Sequence, residues 1–240
     1  MKWMSVLSII TLSSALTGCG GSDSSDPEIA VRALNFQTVN FVNQNPSGVS
    51  DISVQANYGS LQEDIYSNLP LYGATETGLL LIQENASTFD ITFDLIETNS
   101  QQTLVSETRS IAVSNPQVIF AFGDANTSFY DLIFQDKPDT SSTTDTQVSI
   151  FVMDANQLQG GINSDVWVDG SQRIFNLSKR TLSSQIIVGA NTANVPIEIR
   201  ETGTTTVIDT CSVSTETRAI MVIFDPLGNC RVLSVLDPVF

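Results

Sequence analysis

The chain has 240 residues, 41% hydrophobic and 15% charged, with 26 acidic against 10 basic side chains, no histidine and a formal charge of −16. Nucleic acid and anionic lipid surfaces are excluded as partners, because both require clustered Lys and Arg. The absence of histidine removes Ser-His-Asp and Cys-His catalysis and the commonest zinc ligand.

Residues 1–18 carry one cation, Lys2, and then an apolar stretch from Trp3 to Leu16 diluted by serine and threonine. A membrane span takes about 20 apolar residues, so this segment is short; charge, apolar middle and small residues follow the order of a secretory signal peptide. Leu16-Thr17-Gly18-Cys19 resembles the lipobox of bacterial lipoproteins. The resemblance implies cleavage before Cys19, a diacylglycerol on its thiol and an acyl chain such as palmitate on its freed amine. Residues 19–28 then form a polar, flexible tether. In Gram-negative lipoproteins an Asp after the cysteine favours retention in the inner membrane; Gly20 stands there, so the outer membrane is expected. Two or three acyl chains suffice for stable anchoring, which makes the membrane the first expected partner, through the lipid on Cys19.

From residue 29 onward helical periodicity is nearly absent. In Thr88 to Leu95 the apolar Phe89, Ile91, Phe93 and Leu95 alternate with Asp90, Thr92 and Asp94, the period of a half-buried strand. Val118 to Phe122 and Ala219 to Phe224 are continuous apolar runs closed by Gly123-Asp124 and by Asp225-Pro226-Leu227-Gly228, which predicts buried strands ending in turns. Between them, residues 137–146 are polar and without apolar period, as in a linker.

The pattern also recurs. Ser50 to Gln55 aligns with Ser164 to Asp169, Phe89 to Thr98 with Val195 to Thr202, and Val113-Ser114 with Val213-Ser214, in the same order. A domain over 29–136, a linker over 137–146 and a second domain over 147–240 are therefore expected. Each domain is of the size and strand spacing of an immunoglobulin-like sandwich, so the predicted fold is all-β with two tandem immunoglobulin-like β-sandwiches. Val31 to Asn35, Asp51 to Val54, Leu71-Tyr72-Gly73-Ala74-Thr75 leading to Leu79-Leu80-Leu81, and Val118 to Gly123 resemble an uncharacterised bacterial envelope family, domain of unknown function 4397. Asp165 to Gly170 fits the same pattern in the second half, where the Tyr-Gly step has no counterpart. That resemblance implies export, lipidation and tandem sandwiches, and brings no known activity.

Two cysteines remain after lipidation, Cys211 and Cys230, and in an exported chain such a pair is a candidate disulfide. Its geometry stays open at this level. The bridge needs α-carbons within about 7 Å, whereas two strands flanking a third stand nearly 10 Å apart. Asp154-Ala155-Asn156 and Asp165 to Asp169 offer oxygens for calcium, although no EF-hand spacing occurs and solvated turn acids are the commoner role. Trp167, Tyr58, Tyr66, Tyr72 and Tyr130 would suit a sugar platform only if they clustered in solvent. Ser-x-x-Lys is missing, because Phe134 and Asn176 stand three residues before Lys137 and Lys179, and no G-x-S-x-G elbow or P-loop is present.

The expectation is a lipid-anchored envelope protein acting as a non-catalytic binding or structural module, with no catalytic residue, cofactor or metal, and with an envelope protein or polysaccharide as its second partner. The alternative is a carbohydrate-binding or adhesion module. An acid-pair hydrolase ranks third and would require a cleft with two carboxylates about 5 to 10 Å apart.

Overall fold

The computed structural model describes residues 29–43, 51–72, 77–156, 161–226 and 228–235. The lipobox, Cys19 and the tether lie outside these described residues. Strands follow one another without a helix among the described residues. In the first half they are β1 (Val31–Asn43), β2 (Ile52–Tyr58), β3 (Leu61–Leu69), β4 (Thr77–Gln83), β5 (Thr88–Glu97), β6 (Gln102–Ala112), β7 (Gln117–Asp124) and β8 (Phe129–Asp136). The second half contains β9 (Gln147–Asp154), β10 (Ser164–Val168), β11 (Ser171–Leu177), β12 (Ile186–Gly189), β13 (Val195–Glu201), β14 (Val207–Val213), β15 (Ala219–Phe224) and β16 (Cys230–Ser234).

These strands form four sheets, ordered β4-β1-β7-β8, β3-β2-β5-β6, β12-β9-β15-β16 and β11-β10-β13-β14. Adding eight to each strand number in the first two orders gives the last two, so the duplication read from sequence is a duplication of topology. Turn geometry repeats with it: Asn68 and Asn176 have φ of 57° and 58°, and Tyr72 and Arg180 both have φ of 57°. The register is displaced from the sequence alignment. Ile52 and Ser164 occupy the same place, opposite Glu97 and Glu201, which moves the Ser50–Ser164 match by two residues. An even slip leaves every side chain on its face, so the apolar pattern alone could not reveal it.

Each half is a two-sheet sandwich. The partition differs from the constant-type immunoglobulin arrangement of strands ABED and CFG. Here the first strand of each unit sits between the fourth and the seventh, antiparallel to one and parallel to the other. Strand β5 shows why its sequence alternates: Phe89, Ile91, Phe93 and Leu95 enter the first core while the intervening residues face outward.

The continuous apolar runs have a different cause. A third core joins Val39, Phe41, Val118, Phe120 and Phe122 of β1 and β7 to Phe151, Met153, Met221 and Ile223 of β9 and β15. The two inner sheets therefore pack against each other as well as within their own sandwiches, and the body is a stack of four layers. Strands at the centre of such a stack are buried on both faces and read as unbroken hydrophobic runs. All six residues of β15 are buried, and β7 emerges only at Asp124.

The predicted linker is pinned at both ends. The Lys137 amide donates to the Pro116 carbonyl at 2.7 Å. Thr143, 7% exposed, meets the Ser149 hydroxyl, and Gln185 Nε2 donates to Ser149 Oγ at 2.7 Å.

Candidate functional site

At one end the inner sheet β4-β1-β7-β8 runs beyond its neighbour. Val39 and Phe41 are covered by the second sandwich, but toward the start of β1 the same face is open: Val31 is 57% exposed, with Leu79 at 40% and Leu81 at 52% beside it. In β4 the inward positions are Leu80 and Ile82, both in the first core, so its odd-numbered leucines must face out. Register places Leu81 against Ala33 and Leu79 against Asn35, which makes one apolar shelf across two strands.

A groove of 720 Å³ wraps the end of this shelf, lined by Val31, Tyr58, Leu61, Leu81, Gln83 and Glu84. Its far wall is the β2–β3 hairpin, where the two-residue loop Gly59-Ser60 joins the paired Tyr58 and Leu61. Gly59 has φ of 58°, a conformation that such tight hairpins demand and that glycine adopts without steric cost. Tyr58 packs edge-on against Phe89 at 5.5 Å and donates its hydroxyl hydrogen to Glu84 Oε2 at 2.9 Å. That bond to a carboxylate, followed by burial and the negative charges of Glu84 and Asp90, holds the Tyr58 hydroxyl above its ordinary value of 10.0. The groove thus offers apolar walls with one donor-acceptor pair, the composition of a small-ligand or side-chain cleft.

A smaller cavity of 250 Å³ lies between the sandwiches, lined by Val39, Phe41, Tyr72, Arg231 and Leu233 among others. The Arg231 guanidinium lies 3.6 Å from the centre of the Tyr72 ring. Fully buried Asp225 accepts from the Asn229 amide at 2.9 Å and faces Arg231 Nε at 3.5 Å. Burial, followed by the Asp225 charge, pushes the Tyr72 hydroxyl upward, and Arg231 opposes that shift.

Two of the acids considered for calcium, Asp154 and Asp165, are engaged otherwise. Asp154, fully buried, is bonded to Ser164 Oγ and to Lys179 Nζ, so an ammonium stands where a cation would bind. Asp165 accepts from the amides of Asn176 at 2.9 Å and Gly203 at 3.1 Å. Among the described residues no three acidic, cysteine or histidine side chains converge as a metal site would require. The aromatic residues are dispersed. Tyr58 borders the groove, Tyr66 and Tyr130 pack on the first core, Tyr72 sits at the junction, and Trp167 lies under the Arg200 guanidinium, 4.1 Å from its ring centre.

Cys211 and Cys230 are joined, with α-carbons 5.7 Å apart. The obstacle posed by strands flanking a third does not arise, because β14 and β16 are edges of different sheets. The bridge fastens the two layers of the second sandwich along one side.

Sequence reasoning missed Val31, Leu79, Leu81 and Glu84 as one surface, and Lys179 as the partner of Asp154. A signal for the shelf was present in Leu79-Leu80-Leu81-Ile82, which is apolar on both faces of a strand. The partner of a buried carboxylate 25 residues away left no local trace.

No protein-family model matches the chain, and no curated protein matches its sequence. Among the solved structures that match at a distance are the following two. A streptococcal virulence factor described as binding alpha-glucan is 11% identical, with a TM-score of 0.28 over 85% of this chain and 96% of that one. A leucine-rich repeat protein from Bacteroides thetaiotaomicron is 12% identical, with a TM-score of 0.22 over 80% of this chain and 25% of that one.

Proposed function

We propose that the chain is a lipid-anchored protein of the bacterial envelope, held in the outer membrane through Cys19, whose stacked body is a non-catalytic binding module. The observation that carries the reading is the groove at Tyr58 and Glu84 on the uncovered end of an inner sheet. It lies close to residue 29, where the ten-residue tether from Cys19 would join, and it offers an envelope protein side chain or a sugar both apolar contact and a polar pair. Asp154, Asp165 and Asp225 are each occupied in holding the fold. Membership of the envelope family that the first half resembles belongs to the same proposal.

The test is thermal unfolding against a panel of envelope polysaccharides and outer-membrane proteins, with calcium as a further condition. A ligand of the folded state raises stability by about 2.7 kcal/mol at a hundredfold excess over its Kd. A dose-dependent shift that disappears in Tyr58→Ala is expected. No shift across the panel would overturn the binding reading and leave a purely structural role. Anchoring is checked separately: Cys19→Ser abolishes lipid labelling and membrane retention, and continued labelling refutes the lipobox.

A further inference from the structure

Every open sheet has two edges, and unpaired edges invite pairing with another chain unless they are shortened, charged, bulged or covered. Strand β8 bears Asp131 and Asp136, β3 bears Glu63 and Asp64, β6 bears Glu107 and Arg109, and β11, β14 and β16 each carry a charged residue. Strand β12 has only 4 residues. Strand β4 shows neither device: Thr77 to Gln83 has no charge and no proline, and it pairs with β1 over seven consecutive residues without a register shift. Among the described residues its other side makes no backbone hydrogen bond. The duplicated unit treats the same edge differently, since β12 ends at Gly189, which faces Gln147 as Leu81 faces Ala33.

Strand β3 closes over the start of this edge. A β-carbon at Gly78 would collide with Ile65 Cγ2 and stand 2.7 Å from the Ile65 carbonyl oxygen, so the two strands touch there. They part further along, where Leu61 and Ile82 line the groove. The open run of β4 is therefore Leu79 to Gln83, and it leads into the groove. Glu63 stands beside that run. Its cross-strand partner on β2 is the core residue Ala56, which puts the Glu63 carboxylate on the face of β3 turned toward the inner sheet. Glu84 closes the run, with the Tyr58 hydroxyl as its donor. Among the described residues neither carboxylate takes part in an ion pair. A strand laid along β4 would thus have the apolar Leu79 and Leu81 beside one of its faces and two carboxylates without counter-charges beside the other.

We propose that the ligand of the groove is an extended segment of a partner protein, with alternating apolar and basic side chains, that adds to the inner sheet along Leu79 to Gln83. The proposal rests on the groove being a binding site and narrows its ligand to a polypeptide strand. Such a strand covers Leu81 and Gln83 because it is what the groove holds. Its backbone matches the repeating donors and acceptors of the open edge, which supplies affinity, and its alternate side chains supply specificity. The apolar set extends the shelf of Leu79 and Leu81. The intervening Lys or Arg side chains reach Glu63 and Glu84 and provide the counter-charges that the chain itself does not. A formal charge of −16 draws a basic segment toward this surface and repels an acidic one, a second copy of the chain included.

The probe is an acetylated, amidated peptide of alternating valine and lysine, added to the full chain carrying Cys19→Ser and followed by hydrogen exchange. With peptide at about ten times its Kd, exchange in the segment Leu79 to Gln83 is expected to slow about tenfold, in proportion to the free fraction. The same peptide methylated at every backbone nitrogen keeps its charge and side chains but has no amide hydrogens to donate, and it is expected to leave that segment unprotected. Glu63→Gln with Glu84→Gln is expected to weaken the unmethylated peptide about tenfold, the scale of two ion pairs, with the thermal midpoint retained because both side chains are exposed. Should these substitutions disturb folding, the two peptides on the parent chain decide. Binding that leaves β4 exchange unchanged, or equal protection by the methylated peptide, overturns the proposal. So does a failure of the peptide to bind. If a polysaccharide then shifts the thermal midpoint through Tyr58, the groove remains a binding site and only strand addition falls; if nothing shifts it, both fall.

Discussion

At one position the two sandwiches make opposite choices. Asn40 and Asp154 occupy the same place, each accepting at its carbonyl the amide of the residue that enters the next turn, Tyr72 in one unit and Arg180 in the other, at 2.9 and 2.8 Å. In the first sandwich the buried amide is satisfied locally: Asn40 Nδ2 donates to the Leu69 carbonyl and Oδ1 accepts from the Val42 amide, both at 2.8 Å. In the second the same place holds a carboxylate, and the chain supplies Lys179 where the first unit has Leu71. A neutral group needs only hydrogen bonds, whereas a buried charge also needs a counter-charge. Asp154 and Lys179 are therefore coupled, so neither can change alone without loss.

The sandwiches also differ in what closes them. The first has an aromatic core, with Phe93 within 5.4 Å of Phe36 and 4.8 Å of Phe134 between ring centres. The second is built mainly of Val and Ile with Phe224 as its large buried ring, and it has the disulfide. Cys211 lies opposite Ile197 and Cys230 opposite Phe224. The matching places in the first unit hold Glu107, opposite Phe93, and Leu132, opposite Ala121. A covalent fastener thus stands where the aromatic sandwich relies on packing.

The largest expected effect breaks the first contrast. Lys179→Ala leaves Asp154 as a buried unpaired charge and should cost about 3 to 5 kcal/mol in chemical denaturation. Asp154→Asn combined with Lys179→Leu imports the pair found in the first sandwich and should recover most of that loss; a double variant as unstable as the single one would refute the equivalence. Next in size is the bridge. Replacing Cys211 and Cys230 by Ser should lower stability by about 3 kcal/mol, on the loop-entropy account for residues 19 apart. Because a shared core joins the sandwiches, the loss should shift one common unfolding transition in calorimetry rather than detach the second unit.

The smallest effect concerns Glu107. Burial raises its carboxyl above the ordinary 4.5, with Asp131 adding to the shift and Arg109 opposing it. A raised carboxyl holds its proton more tightly in the folded state, so the ionised form costs stability above that pKa, and the cost fades as pH falls through the interval down to the unfolded value. Glu107→Gln should therefore stabilise the protein at pH 7 by less than about 0.5 kcal/mol, the scale of a surface change. Thermal midpoints of the two forms should converge on acidification through that interval.

Much of this architecture was legible from residue order. Alternation in Thr88 to Leu95 and the runs at Val118 and Ala219 marked strands, because strand period is a local property. Local pattern also sufficed for the repeat, but not for its register, since a two-residue slip preserves the alternation of faces. The unbroken runs signalled burial on both faces without naming the covering surface. Only tertiary structure supplied it, by laying the two inner sheets against each other and closing a third core from residues as distant in sequence as Val39 and Ile223. It also decided the candidate site. The shelf of Val31, Leu79 and Leu81 is exposed because the second sandwich covers only part of a sheet, and the extent of that overlap depends on how two folded layers pack rather than on any stretch of sequence.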